Sequence, residues 1–261
     1  MSAPLAIERR GDLLRLTLDD PARANALSPA LVEALTAAFR RDWRADGVRA
    51  ILLAGAGRNF CAGADLEQLG RLADASPLDH RLESARLRDL FEAILRQEAL
   101  TVALVQGSCV AGGCGLATAC DFAVAADDAR FLYSEVRIGF VAALVATYLT
   151  LRLRGSDVRS LLLEAEFVTA SRALELGLVA RVVPRAQLDA EGEGLAAGIL
   201  ARGSSESIAR TKRLLLELAG RRLEERLDLA AEANADARAS ADCRHGVATF
   251  LATKAPPRWR D

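Results

Sequence analysis

Two short glycine-containing segments follow apolar runs, and their main chains are the first candidates for chemistry. The segments are Phe60-Cys61-Ala62-Gly63-Ala64-Asp65-Leu66 and Val110-Ala111-Gly112-Gly113-Cys114-Gly115-Leu116. Small side chains let a main chain approach a ligand, and a helix beginning there leaves N–H groups unpaired. Two such groups converging on one carbonyl oxygen would form an oxyanion hole. Neither segment matches a P-loop or G-x-G-x-x-G pattern, and each alone is also typical of an ordinary strand-to-helix turn.

A single acidic residue, Glu135, lies in a sequence context that suits proton transfer. Its neighbours within residues 131–139 are largely apolar. Burial there would raise the pKa of the carboxyl group and suit it to proton transfer at a carbon atom. The alternative is a structural ion pair with Arg137 or another arginine. From the flanking residues alone, both interpretations stay open.

The hydrophobic pattern predicts the elements that must position these residues. Alternating or compact apolar runs predict strands at residues 13–18, 48–53, 100–105, 122–125 and 179–183. Helical signals cover residues 29–39, 84–98, 142–151, 156–164, 170–176, 186–201, 206–217 and 221–240. Residues 68–81 show little periodicity and are predicted to be mobile. Strands alternating with helices over the first 140 residues or so imply β-α-β units.

Composition excludes several classes of protein. The chain has 261 residues, is 51% apolar and carries a net charge of −1, which excludes wholesale disorder and argues against a nucleic-acid-coating protein. Its five cysteines form no C-x-x-C pair, and with only two histidines we expect buried thiols and no metal site. Met1 to Glu8 show no signal-peptide pattern, so we expect a cytoplasmic protein.

An uncharged stretch, residues 99–120, is long enough to span a membrane. Glycines and polar residues interrupt it, however, and it ends at Cys120-Asp121. We therefore predict a buried strand, a tight turn and a buried helix, and no membrane association.

Five motifs, taken together, resemble a known protein family, although no single one of them is specific enough to do so. They are residues 60–66, 111–117, 119–121, 131–139 and 173–179. In this order and spacing they resemble the crotonase (enoyl-CoA hydratase/isomerase) superfamily from about residue 5 to Trp259. The resemblance implies an α/β, ClpP-like spiral of β-β-α units in residues 1–195, holding the CoA site and active site. Residues 196–261 would form an α-helical region that assembles homotrimers, often paired as hexamers.

The resemblance also implies roles for individual positions. The main-chain N–H groups of Ala64 and Gly112 would form the oxyanion hole for an acyl-CoA thioester, and Glu135 would transfer the proton. The positions that match substrate- or CoA-binding residues are Arg23, Ala24, Ala62, Gly63, Asp65, Leu66, Gly113 and Lys254. For Arg23 and Lys254, which would contact CoA phosphates, the alternative is an ordinary solvated charge. No permanently bound cofactor is expected, because the substrate carries the coenzyme A.

Gly115 is where the chain departs from the family pattern. Well-studied hydratases carry a second glutamate at this position, and a glycine cannot hold or split water. The chain could therefore be a single-glutamate isomerase, a hydratase whose second acid is Asp65 or Glu67, or an enzyme of other thioester-enolate chemistry. A non-catalytic acyl-CoA-binding protein and an RNA-binding family member remain alternatives, although the charge balance disfavours the latter.

A narrower resemblance favours hydration. Residues 134–139 are similar to a subgroup of methylglutaconyl-CoA and isohexenylglutaconyl-CoA hydratases, whose members also have glycine at the Gly115 position. That subgroup usually continues with a proline and a Ser-Pro pair, where this chain has Ala142 and Ala146-Thr147. The acyl group therefore does not transfer. We expect hydration of a 2-enoyl-CoA, with acyl-pocket walls from residues 68–81 and 140–146 and with His80 exposed.

Overall fold

A six-stranded sheet organises the computed structural model, which describes residues 4–65, 68, 70, 74–203, 205–217, 223–239 and 241–255. The strands are β1 (Leu5–Arg10), β2 (Leu13–Leu18), β3 (Ala50–Gly55), β4 (Leu100–Val105), β5 (Ser108–Val110), β6 (Phe122–Ala126), β7 (Arg130–Leu132), β8 (Val168–Thr169) and β9 (Arg181–Val183). The larger sheet has the order β1-β2-β3-β4-β6-β9, parallel except for the β1–β2 hairpin. The smaller sheet has the order β5-β7-β8.

Helices cover both faces of the larger sheet. They are α1 (Pro29–Arg40), α2 (Pro77–Arg96), α3 (Gly112–Ala119), α4 (Ala143–Arg152), α5 (Gly155–Arg159), α6 (Ala170–Leu176), α7 (Leu188–Arg202), α8 (Ser205–Glu217), α9 (Leu223–Ala239) and α10 (Ala241–Thr253). One buried cluster joins α1, α2 and α3 to the sheet, and a second joins α7 to the opposite faces of β3, β4 and β6. Strands covered on both faces read as continuous apolar runs, which explains the pattern of β4.

Several sequence predictions are confirmed. Leu14, Leu16 and Leu18 are buried on one face of β2. The Ser28 side chain caps α1 by accepting a hydrogen bond from the main chain of Leu31. Strands β2 and β4 and helix α6 have their predicted bounds, and most other predicted elements differ by a few residues at their ends, whereas α2 begins seven residues before the predicted start at residue 84. The elements with their predicted bounds have local signals at their boundaries.

The prediction for residues 68–81 was wrong over its second half, because α2 begins at Pro77. Ser76 and Asp79 form a reciprocal capping box in which the Ser76 Oγ accepts from the Asp79 main chain, and Asp79 accepts from the Ser76 main chain. The prediction of an exposed His80 was also wrong, because its side chain is buried where α2 faces α9. Polar residues in the first turns of α2 hid its helical periodicity in the sequence.

The uncharged stretch at residues 99–120 folds as predicted, as strand β4, a turn and helix α3. No helix among the described residues is both long enough and apolar enough to cross a membrane.

The C-terminal helices pack on the core. Helix α7 runs continuously across the predicted boundary at residue 195. Helix α9 lies against α2 and α4, and α10 lies against the short 3-10 helix Glu135–Ile138. These two contacts bring the end of the chain to the elements that carry the candidate site.

Candidate active site

Main-chain pairing holds the two glycine-containing segments side by side. Cys61 and Cys109 form a parallel bridge, and the Val110 N–H donates to the Cys61 carbonyl at 2.9 Å. A second bridge joins Ala64 to Leu27, whose N–H donates to the Gly63 carbonyl at 2.8 Å. The segments are therefore fixed by the backbone and not by their side chains.

Glycine allows the closest approach between them. Gly63 has a left-handed φ of +83°, and a Cβ atom there would lie 2.5 Å from the Val110 carbonyl oxygen and 3.2 Å from the Gly112 nitrogen. A Cβ atom on Gly112 would lie 3.9 Å from the Ala64 nitrogen. The nitrogens of Ala64 and Gly112 are thus neighbours. In the described part of the chain, neither N–H donates a hydrogen bond to a protein group, so both remain available to a ligand.

Both segments open onto a cavity of about 550 Å³. Ala64, Gly112 and Glu135 all contribute to its wall. The other lining residues are mainly apolar: Leu27, Ala62, Leu87, Phe91, Val110, Ala111, Leu132, Ile138, Phe140, Val141, Ala142, Ala143, Leu144, Val145, Phe167 and Phe250. The structure therefore brings together the three residues expected to carry the chemistry. Of the predicted acyl-pocket walls, residues 140–145 line this cavity, whereas Ala146 and the described residues between 68 and 81 do not.

Glu135 begins the 3-10 helix and is 7% exposed. The Phe140 N–H donates to its carbonyl at 2.9 Å, and Gly139, with φ +71°, allows the chain to turn there. Its Oε2 atom is buried without a hydrogen-bond partner in the described structure. Burial raises the pKa of the Glu135 carboxyl to about 7, against a lowering contribution from its own main-chain N–H.

The alternative role for Glu135, an ion pair with an arginine, is not observed. The salt bridges among the described residues do not include Glu135. A carboxyl group with a near-neutral pKa and an unused oxygen on a cavity can both accept and return a proton. This arrangement supports the acid–base interpretation.

The position of the missing second acid is filled by two aromatic side chains. A Cβ atom on Gly115 would lie 2.8 Å from Cζ of Phe91 and 2.9 Å from Oη of Tyr148. The Tyr148 hydroxyl donates to the Gly115 carbonyl at 3.0 Å. The rings lie 5.8 Å apart at a tilt of 60°. Close packing here leaves no space for a carboxylate side chain.

No substitute for the second acid is found among the described residues. Asp65 pairs with Arg23 at 3.2 Å and does not line the cavity. Glu67 lies outside the described residues. Glu135 is therefore the only acidic residue lining the cavity in the part of the chain that the structure describes.

The predicted CoA-binding residues fall into two groups. Ala62 donates its N–H to the Ala24 carbonyl at 2.9 Å, beside the Arg23–Asp65 ion pair. Lys254 lies elsewhere, at the cavity rim beyond the end of α10. Of the remaining predicted residues, Gly113 packs against the Cys61 main chain without lining the cavity, and Leu66 lies outside the described residues. Arg23 is exposed and also bonds Asp20, which holds its guanidinium in place.

The cysteines in and next to the two segments are buried, which does not suit them to nucleophilic attack. Cys61, Cys109 and Cys114 are buried, and burial raises the pKa of the Cys61 thiol to about 12. The described residues contain no cluster suited to a metal ion.

Arg238 is the functional candidate that sequence reasoning missed. It lies on α9, lines the cavity and is only 4% exposed. Its guanidinium lies 5.5 Å from the Phe140 ring centroid. The sequence offers no signal for this position, because an arginine in an Ala-rich, charged helix is typical of a solvated face. Only tertiary packing brings it to the cavity.

The topology and the apolar cavity define a crotonase-fold protein. The chain belongs to the enoyl-CoA hydratase/isomerase family, whose model matches residues 8–261. A Thermus thermophilus protein named "Putative enoyl-CoA hydratase" is 41% identical over 251 residues, covering 96% of this chain and 98% of that protein. A crystal structure of an enoyl-CoA hydratase from Mycobacterium avium is 30% identical, has a TM-score of 0.85, and is matched over 100% of both chains.

Proposed function

We propose that this protein catalyses the reversible hydration of a 2-enoyl-CoA thioester. The observation that carries the proposal is the meeting of Glu135 with the N–H groups of Ala64 and Gly112 on one apolar cavity. Family membership supports the thioester chemistry. The enoyl-CoA hydratase names of the relatives support hydration.

The oxyanion hole would act on the thioester oxygen. Attack of water at the β-carbon moves electrons through the conjugated system onto that oxygen and forms an enolate. Two fixed N–H donors in an apolar site stabilise this charge, and loss of one such donor costs about 3 kcal/mol in comparable enzymes. Main-chain donors of Ala64 and Gly112 suit this role because backbone pairing already holds them in place.

Glu135 would manage both proton transfers in sequence. As a carboxylate it removes a proton from water while the oxygen bonds to the β-carbon. The protonated carboxyl then returns that proton to the α-carbon of the enolate, so the whole water molecule is added. A pKa of about 7 suits both steps, because the ionised and protonated forms are then close in free energy near neutral pH.

The remaining parts of the proposal concern binding and assembly. Ala24, Ala62, Gly63 and Gly113 would form or support the CoA-binding main chain, and Arg23 and Lys254 would contact its phosphates. We also propose a cytoplasmic enzyme that assembles as a homotrimer or a dimer of trimers, through residues 196–261. The resemblance to methylglutaconyl-CoA hydratases remains a hypothesis about the subgroup.

One observation favours a second candidate, an enoyl-CoA isomerase. Glu135 is the only acidic residue lining the described cavity, and double-bond migration needs only one group to move a proton between two carbons. The Glu135 carboxylate would remove a proton from one carbon and return it to the other, through the same enolate.

An assay with matched substrates separates the two reactions. Purified protein is incubated with crotonyl-CoA and longer 2-enoyl-CoA esters in isotopically labelled water, and with 3-enoyl-CoA esters. Hydration predicts loss of enoyl-thioester absorbance and incorporation of labelled oxygen into a 3-hydroxyacyl-CoA. Conversion of 3-enoyl-CoA to 2-enoyl-CoA without oxygen incorporation would instead establish the isomerase, and binding without either reaction would overturn both.

Glu135→Gln tests the catalytic assignment. The amide keeps the shape of the side chain but cannot take up the proton, so kcat is expected to fall by about 10³-fold. The dissociation constant of a saturated acyl-CoA should change less than about threefold, because this binding needs no proton transfer. Glu166→Gln at an exposed position is the matched control. Retention of activity in Glu135→Gln would remove Glu135 from the mechanism.

A further inference from the structure

A serine hydroxyl lies on the candidate active-site cavity immediately before Glu135. Ser134 is half-buried and contributes to the cavity wall. Its hydroxyl does not cap the 3-10 helix that follows, and among the hydrogen bonds of the described residues none involves it. The Oε2 atom of Glu135 also has no partner in the described structure. Two polar groups that are adjacent in the chain are therefore available to a small polar ligand in this cavity.

Strand pairing places Ser134 beside the candidate oxyanion hole. Strands β5 and β7 are parallel, and Val110 pairs with Leu132. Directly after this pair, the Ala111 N–H donates to the Leu132 carbonyl at 2.7 Å. Gly112 and Ser134 each lie two residues beyond the pair, and both line the cavity. Because paired strands are about 4.8 Å apart, the two segments leave the sheet as neighbours.

Main-chain contacts hold the turn that carries Ser134 and Glu135. The Ser134 carbonyl accepts a hydrogen bond from the Arg137 N–H at 3.0 Å. On the other side, α10 packs directly on the Ile138 main chain through Gly246, where a Cβ atom would collide with the Ile138 carbonyl. The main chain that carries the hydroxyl and the carboxyl therefore has little freedom to move.

The other polar side chains on this cavity cannot do what a hydroxyl does. Besides the candidate acid, they are the cations Arg137, Arg238 and Lys254. Guanidinium and ammonium groups donate hydrogen bonds but accept none, whereas a hydroxyl does both. The Tyr133 hydroxyl is also without a partner in the described structure, but Tyr133 does not line the cavity. Among the described residues, Ser134 alone supplies a side-chain hydroxyl to the wall.

We propose that Ser134 is a second catalytic residue of hydration, whose hydroxyl holds the attacking water against Glu135. This inference rests on the proposed hydratase function of the same cavity. One O–H of the water would donate to the Glu135 carboxylate and the other to the Ser134 Oγ, so that an oxygen lone pair faces the β-carbon. Adjacent residues have Cα atoms about 3.8 Å apart, which allows both side chains to reach one water.

The hydroxyl is not consumed in this step. As the new C–O bond forms, Glu135 takes one proton from the water, and that proton then passes to the α-carbon of the enolate. The second proton stays on the new hydroxyl group of the product, still facing the Ser134 Oγ. Ser134 would thus orient the water without adding a second negative charge beside Glu135.

Separate assays of hydration and of α-proton exchange test this role. Hydration of crotonyl-CoA needs the oriented water, whereas exchange of the α-protons of butyryl-CoA in deuterium oxide needs only Glu135 and the oxyanion hole. Ser134→Ala is expected to lower kcat for hydration about 10- to 30-fold. Its exchange rate and its KM should change less than about threefold, because the hydroxyl acts on water and not on the ester.

Two further variants separate the hydroxyl from the shape of the side chain. Ser134→Thr keeps a hydroxyl on the same Cβ atom and should recover most of the hydration rate. Ser171→Ala, at an exposed position on α6, is the matched control and should leave both rates unchanged. If Ser134→Thr hydrates no faster than Ser134→Ala, the hydroxyl does not set the rate and the inference is overturned.

The outcomes distinguish this inference from the function on which it rests. Hydration at the native rate in Ser134→Ala would overturn the role of Ser134 and leave the hydratase function standing. Equal losses of hydration and exchange would show that Ser134 only supports Glu135, which also overturns the inference. Failure of the native protein to hydrate any 2-enoyl-CoA would overturn the proposed function, and the role of Ser134 with it.

Discussion

The family resemblance predicts a catalytic carboxylate at Glu135 and, in hydratases with two acids, a second one at the position of Gly115, and the structure gives these two residues opposite surroundings. Around Glu135 the chain leaves a cavity and an unused carboxyl oxygen. Around Gly115, Phe91 and Tyr148 occupy the volume that a side chain would need. The absence of a second acid is therefore built into the packing of α2, α3 and α4. Among the described residues, the cavity wall therefore carries one carboxyl group, that of Glu135.

This difference also explains the pKa of the proposed catalytic group. Burial raises the pKa of Glu135 to about 7 because no partner compensates its charge. A second carboxylate nearby would raise the cost of ionisation further. Filling the Gly115 position with aromatic groups keeps the site apolar without adding charge.

Gly115→Glu is the most direct test of the difference between the two positions. The new side chain would collide with the Phe91 ring and the Tyr148 hydroxyl and would bury a carboxyl group. We expect the free energy of unfolding to fall by about 3 kcal/mol or more, which lowers Tm by about 10 °C. Thermal unfolding followed by circular dichroism measures the change.

Gly194→Glu is the matched control for this substitution. Gly194 is also within a helix, α7, but a Cβ atom there meets nothing within 4 Å. Stability should be unchanged or slightly higher, because glutamate is a better helix former than glycine. If Gly115→Glu is as stable as the native protein and hydrates 2-enoyl-CoA faster, then the aromatic side chains can move to make room for a carboxylate. The argument that packing excludes a second acid would then be wrong.

The comparison also separates what the sequence could predict from what it could not. The sequence alone singled out positions 64, 112, 115 and 135 as candidates. It also predicted the bounds of β4 and α6 correctly, because local signals mark where these elements begin and end. The sequence could not predict that aromatic side chains pack against Gly115, because Phe91 and Tyr148 come from α2 and α4 and reach it only through tertiary packing. Arg238 is a similar case. Sequence periodicity gives the face of a helix, but not the cavity that a buried polar residue meets.

The pH dependence of stability provides a second test of the Glu135 environment. Its pKa is about 7 in the folded protein and about 4.3 when unfolded, so the folded state binds more protons between these values. The stabilising contribution of the neutral carboxyl is fully present below about pH 4.3 and is lost as pH rises through about 7. Glutamine remains neutral throughout.

Glu135→Gln is therefore expected to gain stability relative to the native protein as pH rises from about 5 to about 8, by about 2 kcal/mol. Parallel thermal unfolding of the two proteins across this range measures the gap, with Glu166→Gln as an exposed control. A gap that stays constant with pH would show that the Glu135 carboxyl is not desolvated.

The smallest expected effect concerns two buried tyrosines, Tyr148 next to Gly115 and Tyr133 close to Glu135 in the sequence. The Tyr148 hydroxyl donates to the Gly115 carbonyl at 3.0 Å, whereas the Tyr133 hydroxyl has no partner in the described structure. Tyr148→Phe should lower the free energy of unfolding by about 1 kcal/mol, or Tm by about 3 °C. Tyr133→Phe should be neutral or stabilising, because it removes an unpaired buried hydroxyl. Equal losses of stability in both variants would mean that the hydrogen bond from Tyr148 to Gly115 adds nothing to the packing there. Packing of the aromatic rings alone would then exclude a second acid at Gly115.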